Sequence, residues 1–186
     1  MNVRTLFAPT LVFALALAST ARADEPPHLE REWAALGAGT GIPTDHGDAS
    51  LSLAEELGRH WIGDDGYEGF ATGFLFDQEL RFPSGGDTVA NLRFQFRALW
   101  DFAIPIGDSA LTLAPAVAAG VDLLVAGGQV DTAFVLTPHG DARFLFGASK
   151  QWFVYARVAV PIRFGSPSTT AEVQVLGGVG VRFFLL

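Results

Sequence analysis

His139 and Asp141 are the residues that first suggest chemistry, because a histidine beside a carboxylate can relay a proton or orient a base. On an extended chain their spacing of two puts both on one face, but no serine lies in that stretch, so a hydrolytic triad lacks its nucleophile. Membership in an ion-pair network is the expectation for the pair. Gly37, Gly39 and Gly41 in GAGTGIP give G-x-G-x-G, which is not the dinucleotide fingerprint and has no strand-helix-strand unit around it. Asp45, His46 and Asp48, and again Asp64, Asp65 and Glu68, gather oxygen and imidazole ligands without the spacing of a calcium loop, so acidic solvated connectors are the expectation. With no cysteine anywhere, disulfides, thiol catalysis and thiolate metal sites are excluded. The sequence therefore assigns no catalytic, cofactor or metal site.

The elements around these residues say more. Met1 to Arg4 is a short basic start, Leu6 to Ala18 an apolar run, and Ala21-Arg22-Ala23 a small-x-small cleavage site, followed by the polar Asp24-Glu25-Pro26-Pro27. This is the pattern of an export signal spanning 1–23, with a mature domain of 163 residues over 24–186. The apolar run contains Pro9 and falls well short of the ~20 residues of a transmembrane helix. Of the chain's net charge of −8, the signal contributes only Arg4 and Arg22, so the mature part carries −10 and makes a poor partner for nucleic acid. For a water-soluble domain the composition is unusual: 49% hydrophobic, 16 Phe and 17% charged.

From Gly69 onward the hydrophobic residues alternate. Leu92, Phe94, Phe96, Ala98, Trp100 and Phe102 oppose Asn91, Arg93, Gln95, Arg97, Leu99 and Asp101, a period of two that reads as a strand with unlike faces. The split recurs in 151–164 and 171–185. Such runs exceed the about 5 or 6 residues of an ordinary strand and match one crossing a bilayer at roughly 45°. Eight strands are expected near 31–42, 50–61, 68–81, 90–104, 110–125, 133–147, 151–164 and 170–185, joined alternately by longer and shorter connectors. Leu51 to Ile62 also fits a short amphipathic helix, because Leu53, Leu57 and Trp61 recur every four residues. In lipid a sheet must close on itself to satisfy its backbone, so the expected fold is all-β: a closed antiparallel up-and-down transmembrane β-barrel.

Closure assigns the faces. Asp77, Glu79, Arg81, Arg93, Arg97, Asp101, Asp122, His139, Asp141, Arg143, Arg157, Arg163, Glu172 and Arg182 point into the lumen, seven arginines against six acids, and should form a charge network that plugs it. Inner glycines and alanines such as Gly178, Gly180 and Ala118 would leave room for the arginines. Leu92, Phe94, Phe96, Trp100, Phe102, Trp152, Val154, Val158, Val160, Ile162, Val173, Val175, Val179, Val181 and Phe183 face lipid, with Trp100, Phe102 and Trp152 in an aromatic girdle.

With its signal, its alternating strands and its final segment Gly178-Val179-Gly180-Val181-Arg182-Phe183-Phe184-Leu185-Leu186, the chain resembles the small outer-membrane β-barrel proteins of Gram-negative bacteria. That segment is similar to the family's C-terminal insertion signal, although it ends on Leu186 rather than an aromatic residue. The resemblance implies residence in the outer membrane, contact with its lipid, and recognition of the last strand by the barrel-assembly machinery. The family includes structural barrels, adhesins, small pores and lipid-modifying enzymes. The leading reading is a non-enzymatic outer-membrane barrel, porin-like in architecture but with its lumen plugged by side chains, acting structurally or through extracellular loops and a loop-binding partner. The alternatives are a secreted or periplasmic lipocalin-like lipid carrier with its Phe rows inward, a lipid-modifying enzyme using His139 or His60, and, more weakly, a pore.

Overall fold

A sheet in hydrocarbon has no water to satisfy its edges, and this chain removes its edges by bonding its last strand to its first. The computed structural model describes residues 31–44, 48–63, 66–83, 88–147, 149–165 and 169–183. The expected signal segment 1–23 and the terminal Phe184, Leu185 and Leu186 lie outside them, as do Asp45, His46, Asp64 and Asp65. Among the described residues nine strands follow in order: β1 (Glu32–Pro43), β2 (Ser50–His60), β3 (Gly69–Arg81), β4 (Val89–Ile106), β5 (Ser109–Ala126), β6 (Gln129–Phe146), β7 (Trp152–Ala159), β8 (Ile162–Phe164) and β9 (Thr169–Phe183). Each pairs antiparallel with its neighbours, and β1 pairs with β9 to close the ring.

Nine segments make eight crossings. β7 and β8 both lie between β6 and β9 in one unbroken register, with His139 opposite Ala159 and Leu136 opposite Ile162. The interruption falls at Pro161, which has no N–H to give to the ladder but still accepts from the Glu172 N–H at 3.3 Å. Starting from Trp33, the paired residues run through Gly58, Gly73, Arg97, Ala118 and Thr137, past Pro161 to Glu172, and return at Pro43, ten residues along β1. That stagger belongs to tilted strands around an interior just wide enough for side chains.

Leu51 to His60 is strand, not helix, because β2 must bridge β1 and β3. The connectors do not alternate in length. They are 44–49, 61–68, 82–88, 107–108, 127–128, 147–151 and 165–168, all short, so pairing runs to the strand ends. At one of the two two-residue hairpins Gly127 and Gly128 both take positive φ (55° and 80°), the geometry of a tight turn that matches the twist of its strands. Pairing therefore reaches Ala126 opposite Gln129, and Asp131, expected in a connector, lies in β6.

Inner glycines make room for aromatic rings rather than for arginines. A Cβ on Gly58 would lie 2.1 Å from Trp33 Cζ2, one on Gly180 2.1 Å from Phe153 Cζ, and one on Gly178 2.6 Å from Tyr155 Cε1. Gly58→Ala should therefore displace the Trp33 ring and lower the unfolding midpoint of the micelle-refolded chain, by about 1–3 kcal/mol in urea titrations followed by heat-modifiable gel migration. An unchanged midpoint would mean that the ring is loosely held.

Candidate functional site

Because strands put every second side chain inside, charges spaced by two along several strands converge in the lumen. They do so in two layers. The first lies toward the end where β1 begins and β9 finishes. There Arg157 donates from Nε to Asp141 Oδ1 (2.6 Å) and from Nη2 to Asp141 Oδ2 (2.7 Å) and Glu56 Oε2 (2.5 Å). Arg97 bonds Glu56 and reaches Asp141 Oδ2 at 3.3 Å. Arg143 ties Asp141 (3.0 Å) to Asp101 (3.1 Å), and His60 Nε2 lies 2.9 Å from Asp101 Oδ2. Trp33 donates from Nε1 to Glu56 Oε1 (3.1 Å), while Arg97 and Arg143 stack on its ring.

The second layer lies toward the other end. Arg93 donates to Asp77 (2.9 Å) and Glu172 (2.9 Å) and bonds Glu79; Arg81 bonds the same Glu79 (2.5 Å) and Glu172. Gln174 joins Glu172 at 2.7 Å to Asp77 at 3.3 Å. At the rim Arg163 spans Asp122 (3.1 Å) and Asp131 (2.6 Å). Between the layers Ala54, Leu75, Ala118 and Leu176 form a buried apolar collar, and Gln95 donates to Thr137 Oγ1 at 2.7 Å. The first end is capped by Tyr67 from connector 61–68, with Lys150 Nζ 3.3 Å from its hydroxyl and Arg182 over its ring.

All fourteen residues expected in the lumen point inward, with Arg81 and Arg163 at the rim. His139 and Asp141 do not act on each other. His139 Nδ1 faces the Thr137 carbonyl at 3.0 Å, and Asp141 is held by three arginines. The residues expected in the lumen do not include Glu56, Trp33 or His60, and His60 enters the sequence reading only as a residue of the enzyme alternative. The signal for Glu56 was present in the polar or small set Ser50, Ser52, Ala54, Glu56, Gly58 and His60, and in the count of acids, because seven arginines need a seventh carboxylate.

Outside, Phe94, Phe96, Trp100, Phe102, Trp152, Val154, Val158, Val173, Val175 and Val179 are exposed, while Leu92, Val160 and Ile162 are half-buried. Val181 and Phe183 keep the outward register but are buried in a small cluster with Ala34, whose short side chain lets the larger pair close over it. Trp61 joins Trp100 and Trp152 on the outer surface, all toward the Tyr67 end.

No protein-family model and no curated protein matches the sequence. Among solved structures, Neisserial surface protein A superposes with a TM-score of 0.59 at 10% identity, covering 82% of this chain and 96% of that one. The outer membrane enzyme PagL superposes with a TM-score of 0.50 at 15% identity, covering 78% and 97%. Both are eight-stranded outer-membrane β-barrels, and the fold of this chain is of that class.

Removing the carboxylate at Glu56 should strand Arg97 and Arg157 as buried cations. Glu56→Leu is expected to cost about 3–5 kcal/mol in denaturant unfolding from micelles. Glu56→Leu with Arg97→Leu should cost less than the two single changes added together, and strict additivity would show that the pair is uncoupled.

Proposed function

We propose that the chain is a non-enzymatic integral β-barrel of the Gram-negative outer membrane, exported by cleavage after Ala23. It acts by occupying and stiffening the membrane and by what its outer wall offers there. One observation carries this reading: the charges are inside and neutralise one another, while the large apolar side chains are outside, with Phe74 67% exposed and Phe94 and Phe96 about half exposed. Water would not tolerate contiguous rows of such residues, whereas a bilayer requires them. The carrier alternative needs the Phe rows to line a cavity, and the structure turns them away from the lumen. Both described histidines that an enzyme reading could use, His60 and His139, are buried among arginines rather than presented to lipid. β9, which closes the ring on β1, is the strand that assembly machinery would read. Loop recognition has little to work with, since the longest connector is 61–68.

Refolding the mature chain with and without micelles tests the membrane reading. A β spectrum and a heat-modifiable band are expected only in micelles, and a monodisperse monomer in plain buffer would overturn the proposal. In planar bilayers the folded protein should show no discrete conductance steps, because the apolar collar separates the two charged layers; regular steps would mean an open lumen.

A further inference from the structure

Two prolines weaken the wall at one height. Val160 donates its N–H to the Pro138 carbonyl at 3.0 Å, and Pro138 has none to return; on the other side Glu172 donates to the Pro161 carbonyl at 3.3 Å, and Pro161 has none to return. The chain at 160–161 is therefore held by half of each rung, toward β6 and toward β9 alike. Proline is ordinarily confined to the edge of a sheet, and a closed barrel has no edge on which to place it.

Beyond the prolines little holds the chain. β8 is three residues long and pairs only with 134–136 of β6 and 169–171 of β9. From its inner face Arg163 reaches across β6, with Nε 3.1 Å from Asp122 on β5 and Nη2 2.6 Å from Asp131 on β6. On its outer face the Phe164 ring lies 5.9 Å from that of Phe134. Gly165 leaves room for the guanidinium, since a Cβ there would lie 2.8 Å from Arg163 Nη1. The Asp131 side chain is 58% exposed, so water competes for this pair. What lies beneath is dry: Asp122 and Val135 are fully buried, and so is Ala133 below Gly165.

Building on the membrane-barrel reading, we infer that residues 162–165 are a hinged flap, latched by Arg163, which swings at 160–161 and opens the second charged layer at the rim. A segment opens as a unit when its base is held by fewer hydrogen bonds than its surroundings. Here the base is the pair of halved rungs, and opening stops there, because all eight residues of β7 pair on both sides. Opening also gains something: water at the rim can reach the Val160 and Glu172 carbonyls, to which the prolines give no ladder donor. The collar of Ala54, Leu75, Ala118 and Leu176 lies deeper, so the flap opens a blind chamber and not a channel.

Amide hydrogen exchange of the micelle-refolded chain, followed residue by residue by NMR, tests this. Ile162, Arg163 and Phe164 are expected to exchange together and about tenfold faster than Val158 and Ala159, with the step at Pro161. Pro161→Val restores an N–H to its rung and should slow the three about fivefold, the scale of one hydrogen bond. Arg163→Gln should speed them about threefold and leave Val158 and Ala159 unchanged. Because the chain has no cysteine, an introduced one is unique. Ala133→Cys should react with a charged methanethiosulfonate, faster when Arg163→Gln is added, whereas Ala118→Cys in the collar should not react. A smooth gradient of exchange from 158 to 164, β8 amides indifferent to both substitutions, or reaction at Ala118→Cys as fast as at Ala133→Cys would overturn the flap while leaving the barrel standing. Absence of the heat-modifiable band in the parent protein would sink the membrane reading, and the flap with it.

Discussion

Seven arginines inside an eight-stranded barrel impose the condition on which the rest of the structure depends: the buried ones must find their partners among the side chains and carbonyls around them. Moving a charge from water to a protein interior costs several kcal/mol per ion, and attraction offsets that only when geometry and hydrogen bonding are good. The ring is too narrow for a solvated channel, so side chains must supply the whole solvent. Glu56 shows how tightly this is arranged. Its carboxylate serves Arg97, Arg157 and the Trp33 indole, and without it Asp101 and Asp141 alone would face Arg97, Arg143 and Arg157. Asp141 does the same for Arg97, Arg143 and Arg157.

That condition shapes the neighbouring residues as well. Arginine heads crowd the centre, so aromatic rings fill the space toward the Tyr67 end, and Trp33, Phe153 and Tyr155 lean over glycines on adjacent strands. The rings fill volume and at the same time offer π faces to Arg97, Arg143 and Arg157. Packing and electrostatics are thus one arrangement: a larger residue at Gly58 would shift Trp33, and Trp33 holds Glu56.

The architecture was legible because the bilayer enforces a simple code, polar in and apolar out at period two, over strands long enough for the pattern to show. Arg93, Arg97, Asp141, Arg157 and Glu172 could each be given a face by parity alone. β2 was ambiguous for a physical reason: its outward row contains Glu55 and Arg59, which break the alternation and leave Leu53, Leu57 and Trp61 to imitate a helix. Partner choice was out of reach, because parity says that His139 and Asp141 share a face but not that three arginines claim the carboxylate first. The connector before β6 was misjudged because Gly127 and Gly128 allow a two-residue turn, and a glycine-rich stretch reads as a loop whether it closes a hairpin or extends one.

With the lumen filled and the connectors short, the barrel has one large surface left through which to act, its outer wall. A wall that served only as a membrane anchor would be uniform, since lipid rewards apolar area and little else. This wall is uneven. On β4 the apolar band runs to the strand end, and on β2 it is cut short by an ion pair and broken at mid-height by a carboxylate. Glu55 is bonded to Gln78 there, and a carboxylate at that height is not something contact with lipid by itself calls for. Whatever work the protein does beyond filling its place in the bilayer is best sought on the face that carries it.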